Sequence, residues 1–264
     1  MVVIHNTHVP DLRAHSTTGA VYAVDYTLPA GQSFCAIEMR DVGIGGIDEQ
    51  AVWAIGGESV LGGFEISYWT GSAWDVVEES GALAIDVAPT GFPWIVTREN
   101  NIYQWNGSEF VERPGQARDI GIGADGSAWI IGTEAAPGGY KIYRWTETNW
   151  DEVPGGAVAI DVLAYGDLGE QQQSAPWIVT ADHQISRWTG SEWSQQPGEA
   201  QDIGIGSNGA VWIIGTTAVP GGFNIATWNG AGWTSASGGG IRISVSPDGF
   251  PFVVTDDQEI LQGK

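Results

Sequence analysis

Cysteine, positive charge and long apolar runs are all scarce in this sequence. Cys35 is the only cysteine, so no intramolecular disulfide can form and no cysteine-based zinc site can be assembled. Lys and Arg together number 10 against 32 Asp and Glu, for a formal net charge of −22. So acidic a surface repels phosphate groups, which argues against nucleic acid as a partner and against docking on anionic lipid. No stretch is long and apolar enough to cross a bilayer, and no membrane insertion is expected. The opening MVVIHNTHVPDLRAH lacks a basic segment followed by an apolar run, so the expected location is cytoplasmic or leaderless secreted. What the chain does have, in 264 residues, is 39 Gly and 14 Trp. The first implies many tight turns, the second many large apolar plates that need burial or use.

The tryptophans reveal an internal repeat. DIGIGADGSAWIIG at 119–132 returns as DIGIGSNGAVWIIG at 202–215, and AIDV at 84–87 returns at 159–162. Two kinds of unit, A and B, alternate. Each has three aromatic positions. The first follows a Gly-rich turn (Trp53, Trp94, Trp129, Trp177, Trp212, Phe252), and the second ends an Ile-x-x-Trp strand (Trp69, Trp105, Trp145, Trp188, Trp228). The third lies 5 residues later (Trp74, Phe110, Trp150, Trp193, Trp233). First to second is 16 residues in type A and 11 in type B; third to next first is 19 or 20, except for 27 where GDLGEQQQ is inserted.

Each unit reads as four short strands with apolar residues at alternate positions, joined by turns such as Asp125-Gly126 and Asn229-Gly230. Four-stranded units repeated about every 40 residues describe a β-propeller. The fold class expected is all-β, a six-bladed propeller made of three A–B pairs. Phe34 stands 19 residues before Trp53, so the N-terminal part is expected to supply the last strand of the last blade and close the ring. That closure hides the edge strands. The third strand of the last blade has two candidates, Glu259–Gln262 and Ala23–Leu28. Residues 1–30 read as an extension and 31–264 as one propeller domain.

The order Ile120-Gly121-Ile122-Gly123, Gly126-Ser127-Ala128-Trp129, Ile142-Tyr143-Arg144-Trp145 and Trp150 resembles the tectonin repeat family, and the resemblance spans about 33–264. It implies a β-propeller, and several family members are lectins that bind modified microbial sugars, including methylated ones, or lipopolysaccharide. Others are scaffolds. The function expected is therefore a multivalent, tectonin-like lectin; the alternative is a protein–protein scaffold using the N-terminal segment or the 166–174 insertion.

Candidate site residues follow from the A/B difference. Type A units carry five extra residues before the third strand, ESVLGGF, EAAPGGY and TAVPGGF. These place Phe64, Tyr140 and Phe223, with Gly139 and Gly222, on the face where each unit hands over to the next. Arg40-Asp41, Arg118-Asp119 and Gln201-Asp202 emerge on that face. An aromatic plate with Asp41, Asp119 or Asp202, and with Arg40 or Arg118, is the kind of group set a sugar pocket needs. A third-position indole is a further candidate sugar platform. Asp86 and Asp161, with Ser244 in the third copy, are expected to line a central channel; no EF-hand loop supports calcium there, and no cofactor is expected. His5, His8 and His15 fall outside the repeat. No catalytic group is expected: Asp125-Gly126-Ser127-Ala128-Trp129 breaks the spacing of a sialidase Asp box, no Gly-x-Ser-x-Gly elbow occurs, and repeated equivalent loops suit binding better than one reaction centre.

Overall fold

A computed structural model describes residues 39–46, 51–123, 125–163 and 175–263. They form six antiparallel sheets arranged as six blades: 41–82, 84–116, 119–157, 159–199, 202–240 and 242–262. Five have four strands in sequence order; blade 6 has three among the described residues. No helix occurs among the described residues. Blade 3 shows the pattern: Asp119–Ile122, Ala128–Ala136, Gly139–Trp145 and Trp150–Ala157. The strands pair in register, with Ile120 opposite Ile130 and Trp145 opposite Trp150.

The core is divided among the seams between blades. Each of six apolar clusters joins residues of two neighbouring blades; Trp129, Ile131 and Ile142 of blade 3, for example, pack with Ile160, Val162 and Ile178 of blade 4. This explains why the second strands open on a continuous apolar run. Successive side chains point to opposite faces of a sheet. In Ala128-Trp129-Ile130-Ile131, Trp129 and Ile131 serve the seam with blade 4 and Ala128 and Ile130 the seam with blade 2. A blade covered on both faces loses the usual inside–outside alternation.

The ring is closed. Met39, Val42 and Ile44 share a cluster with Phe252, Val254 and Ile260 of blade 6, and the Met39 N–H donates to the Gln258 carbonyl at 3.0 Å. Of the two candidates for the third strand of blade 6, the structure uses the C-terminal one, Ile260–Gln262, paired with Pro251–Val254. The segments Ala23–Leu28 and Phe34, the N-terminal extension and the 166–174 insertion lie outside the described residues.

The tryptophans hold the seams. First-position rings are buried, from 2% exposed at Trp129 to 7% at Trp53. The second- and third-position rings of a blade meet at centroid distances of 4.8–5.4 Å. The third-position indoles also reach backward. Trp150, Trp193 and Trp233 donate their ring N–H to the carbonyls of Pro114, Pro154 and Pro197 in the preceding blade, at 2.7, 2.7 and 2.6 Å. Their edges are committed to structure.

Candidate functional site

The long type A loops are built on glycine pairs. Gly62 and Gly63, Gly138 and Gly139, and Gly221 and Gly222 all have positive φ, a region other residues enter only with strain. The second glycine of each pair lies against the end of its own blade's last strand. A Cβ at Gly139 would stand 2.4 Å from the Ala157 carbonyl oxygen, and one at Gly222 2.6 Å from that of Gly240. The first glycine's carbonyl accepts an N–H from the next blade: Arg98 to Gly62, Ala181 to Gly138 and Asp256 to Gly221, at 2.7, 2.8 and 3.1 Å. Each loop is therefore clamped to its neighbour, and its aromatic ring is fixed.

Phe64, Tyr140 and Phe223 are half-buried and pack on the seam clusters. Two carry a guanidinium on the ring face. Arg40 lies 3.8 Å from the Phe64 centroid and Arg118 3.9 Å from that of Tyr140, both within cation–π range. Arg98, which spacing along the chain does not single out, adds a second guanidinium 5.5 Å from Phe64 and donates to the Gly63 carbonyl at 3.0 Å. At the third loop the corresponding connection residue is Gln201, whose amide donates to the Gly215 carbonyl at 3.2 Å.

The aspartates serve a different place. Asp41, Asp119 and Asp202 begin the innermost strands, and each carboxylate crosses to the next blade: to the N–H of Ile85, Ile160 and Ile243 at 3.2, 3.0 and 2.9 Å. Asp86 and Asp161, two positions further along their strands, do the same to Ile122 and Ile205 at 2.5 and 2.6 Å. Their other oxygens accept the N–H of the following residue, Val87 and Val162. Five seams thus carry a carboxylate clasp. At the sixth, between blades 6 and 1, the matching residue is Ser244.

These carboxylates surround an axial cavity of about 310 Å³. Asp41, Asp119 and Asp202 lie toward its mouth with Arg118, Gln201 and Arg242; Asp86, Asp161 and Ser244 also line a second, smaller space of about 20 Å³ along the axis. The structure therefore brings two of the loop rings, Phe64 and Tyr140, together with a connection arginine, while the aspartates face the axis. Arg118 joins the two, stacked on Tyr140 and lining the cavity. The sequence held the signal for the clasps. Aspartate stands at the start of every type A innermost strand, and two positions later in two of the three type B strands.

Burial raises every one of these acids. Asp41 is pushed up to about 8 from an ordinary 3.8, with the charges of Asp202 and Asp119 adding to burial and Arg242 opposing it. Asp86 and Asp119 rise to about 7, first through burial. Asp161 is raised by burial and by the charge of Asp86, and Asp202 by burial against the pull of Arg242. Arg242 is itself raised, chiefly by Asp202.

Comparisons place the chain. The solved propeller of YCF48 bound to D1 peptide is 17% identical with a TM-score of 0.50, covering 92% of this chain and 84% of that one. The WD40 β-propeller domain of Doa1 is 10% identical with a TM-score of 0.53, covering 86% of this chain and 93% of that one. At such identities the likeness shows the fold alone. No curated protein matches by sequence. No helix among the described residues is long and apolar enough to cross a membrane. The tectonin domain model matches residues 107–264, more than half of the chain, and the protein belongs to the tectonin domain family.

Proposed function

We propose that this propeller is a carbohydrate-binding protein, a multivalent lectin for microbial or modified surface glycans, acting by binding and not by catalysis. The observation that carries the reading is the recurrence of one arrangement three times around one face. Each type A loop presents an aromatic ring, Phe64, Tyr140 or Phe223; Arg40 and Arg118 lie over the first two, and Gln201 holds the corresponding sequence position at the third. An aromatic face suits the C–H face of a sugar ring, and a guanidinium or amide supplies donors to its hydroxyl oxygens. Gly139 and Gly222 allow the backbone the approach that holds the rings there. Asp41, Asp119 and Asp202 form a second layer that fixes the connections.

Each such contact is shallow, so strength would come from engaging several copies of a repetitive glycan at once. The test is a glycan array, including O-methylated and lipopolysaccharide-type glycans, run with the native chain and with Phe64→Ala/Tyr140→Ala/Phe223→Ala. Binding to one glycan class by the native chain, lost in the folded triple variant, is expected. Unchanged binding by the triple variant overturns the site. A second reading, a protein-binding scaffold, is favoured by Leu83 and Val158, 45% and 39% exposed on the rim of the axial cavity. A blank array with stable capture of a peptide partner selects it.

A further inference from the structure

The loop rings do not line the axial cavity, and its chemistry is different. At about 310 Å³ it is at the lower end of small-molecule sites and far larger than a single water requires. Its lining carries five carboxylates, Asp41, Asp86, Asp119, Asp161 and Asp202, against two guanidiniums, Arg118 and Arg242. Neither guanidinium is within ion-pair distance of a carboxylate among the described residues, where Lys141 alone forms salt bridges. Arg118 lies on Tyr140, and Arg242 donates to the Ile241 carbonyl at 3.1 Å.

Ser244 is an independent sign. It is 8% exposed, faces both axial spaces, and its hydroxyl has no hydrogen-bond partner among the described residues. Around it stand carboxylates whose inner lone pairs are taken by backbone N–H groups. Each carboxylate oxygen can accept a second hydrogen bond, so the outward lone pairs remain for a donor entering from the mouth. A cationic donor suits them best, because it offsets the repulsion among the carboxylates. An organic cation is the candidate, because no three His, Cys, Asp or Glu among the described residues come close enough together to hold a metal ion.

We propose that the axial cavity is a binding site for an aliphatic ammonium group on a methylene stem, with the ammonium among Asp86, Asp161 and Ser244 and the stem passing Leu83 and Val158 at the rim. Two sources offer that group, a free polyamine and a lysine side chain of a partner peptide. The ammonium would satisfy Ser244 and the outer carboxylate lone pairs together. The raised carboxyls at Asp41, Asp86 and Asp119 add a consequence: occupation by a cation favours their ionised forms, so binding near pH 7 releases protons and is weaker at pH 5.

The test is calorimetric titration of the full chain at low ionic strength and pH 7, with spermidine in one arm and a blocked leucine-flanked lysine peptide in the other. One saturable site per chain is expected in at least one arm; the arm that binds identifies the source. The apparent enthalpy should depend on the ionisation heat of the buffer. Arg242→Ala removes one of the cavity's two guanidiniums without touching a clasp, and should tighten binding about tenfold. A merely structural Arg242 would not produce that gain. No saturable binding in either arm, more than one site per chain, as a diffuse acidic surface would give, or an affinity indifferent to Arg242→Ala overturns the proposal.

Discussion

Trp150, Trp193 and Trp233 each press an indole onto a glycine of the preceding blade. A Cβ added to Gly115, Gly155 or Gly198 would meet the indole at 3.0, 2.8 or 2.9 Å, and all three glycines have positive φ. Gly198→Ala therefore combines backbone strain with a clash against a ring that its own N–H bond holds in place. It should cost about 2–4 kcal/mol in thermal or denaturant unfolding. The chain supplies a control for the ring itself. Phe110 occupies the same position in blade 2, so an aromatic plate suffices without the N–H. Trp193→Phe should cost about 1 kcal/mol, the worth of one hydrogen bond, and Trp193→Ala about 3–5. An equal loss from both would mean that the hydrogen bond, not the plate, holds the seam. The periodic aromatics were plain in the sequence. The Pro-Gly step that receives them was visible too, but its role was hidden, because spacing along a chain does not say which blade a side chain touches.

At the scale of an element, the type A loop shows how far counting goes. Its position, its five extra residues and its placement beside the arginine connection were all legible. The fate of the aspartates was not: Phe64 and Tyr140 meet Arg40 and Arg118, and the aspartates next in sequence turn to the axis. Adjacent residues on a strand point to opposite sides, which separates an Arg-Asp pair that reads as one unit. The glycine pair gives a test of how rigid the loop is. Gly139→Ala sets a Cβ 2.4 Å from the Ala157 carbonyl oxygen, fixed in a sheet. At Gly126, in a first turn, φ is also positive but nothing lies within 4 Å. Gly126→Ala should cost about 1–2 kcal/mol from backbone strain alone, and Gly139→Ala clearly more. Thermal melts of the two variants decide this; similar losses would show that the loop yields to relieve the contact.

Across the whole molecule, the seams act in series and five of them carry a buried carboxylate at the axis. Six blades could be counted from the sequence, as could the acidity. Asp86 and Asp161 could be placed in a central channel, but that Asp41, Asp119 and Asp202 join them there could not, because a propeller brings together residues some 40 positions apart. The concentration reverses the usual effect of pH on a protein rich in acids. An aspartate held by hydrogen bonds alone would be depressed in the fold, and stability would be lost on acidification. Here burial and mutual repulsion outweigh those bonds, and the folded values lie above the ordinary 3.8, at about 7 for Asp86 and Asp119 and about 8 for Asp41. Between about pH 4 and pH 8 the folded chain then binds more protons than the unfolded chain, so stability falls as pH rises through that window. The melting temperature should be higher at pH 5 than at pH 8. Repulsion among the surface charges of a −22 chain acts in the same direction, but salt separates the two causes. At about 0.5 M NaCl the exposed charges are screened over a few ångströms, while the axial carboxylates, enclosed between blades, are screened far less. A pH 5 to pH 8 decrease that survives high salt places its origin at the axis; one that salt abolishes places it on the surface, and a melting temperature that rises over the same range would show the clasps to be ionised and stabilising throughout.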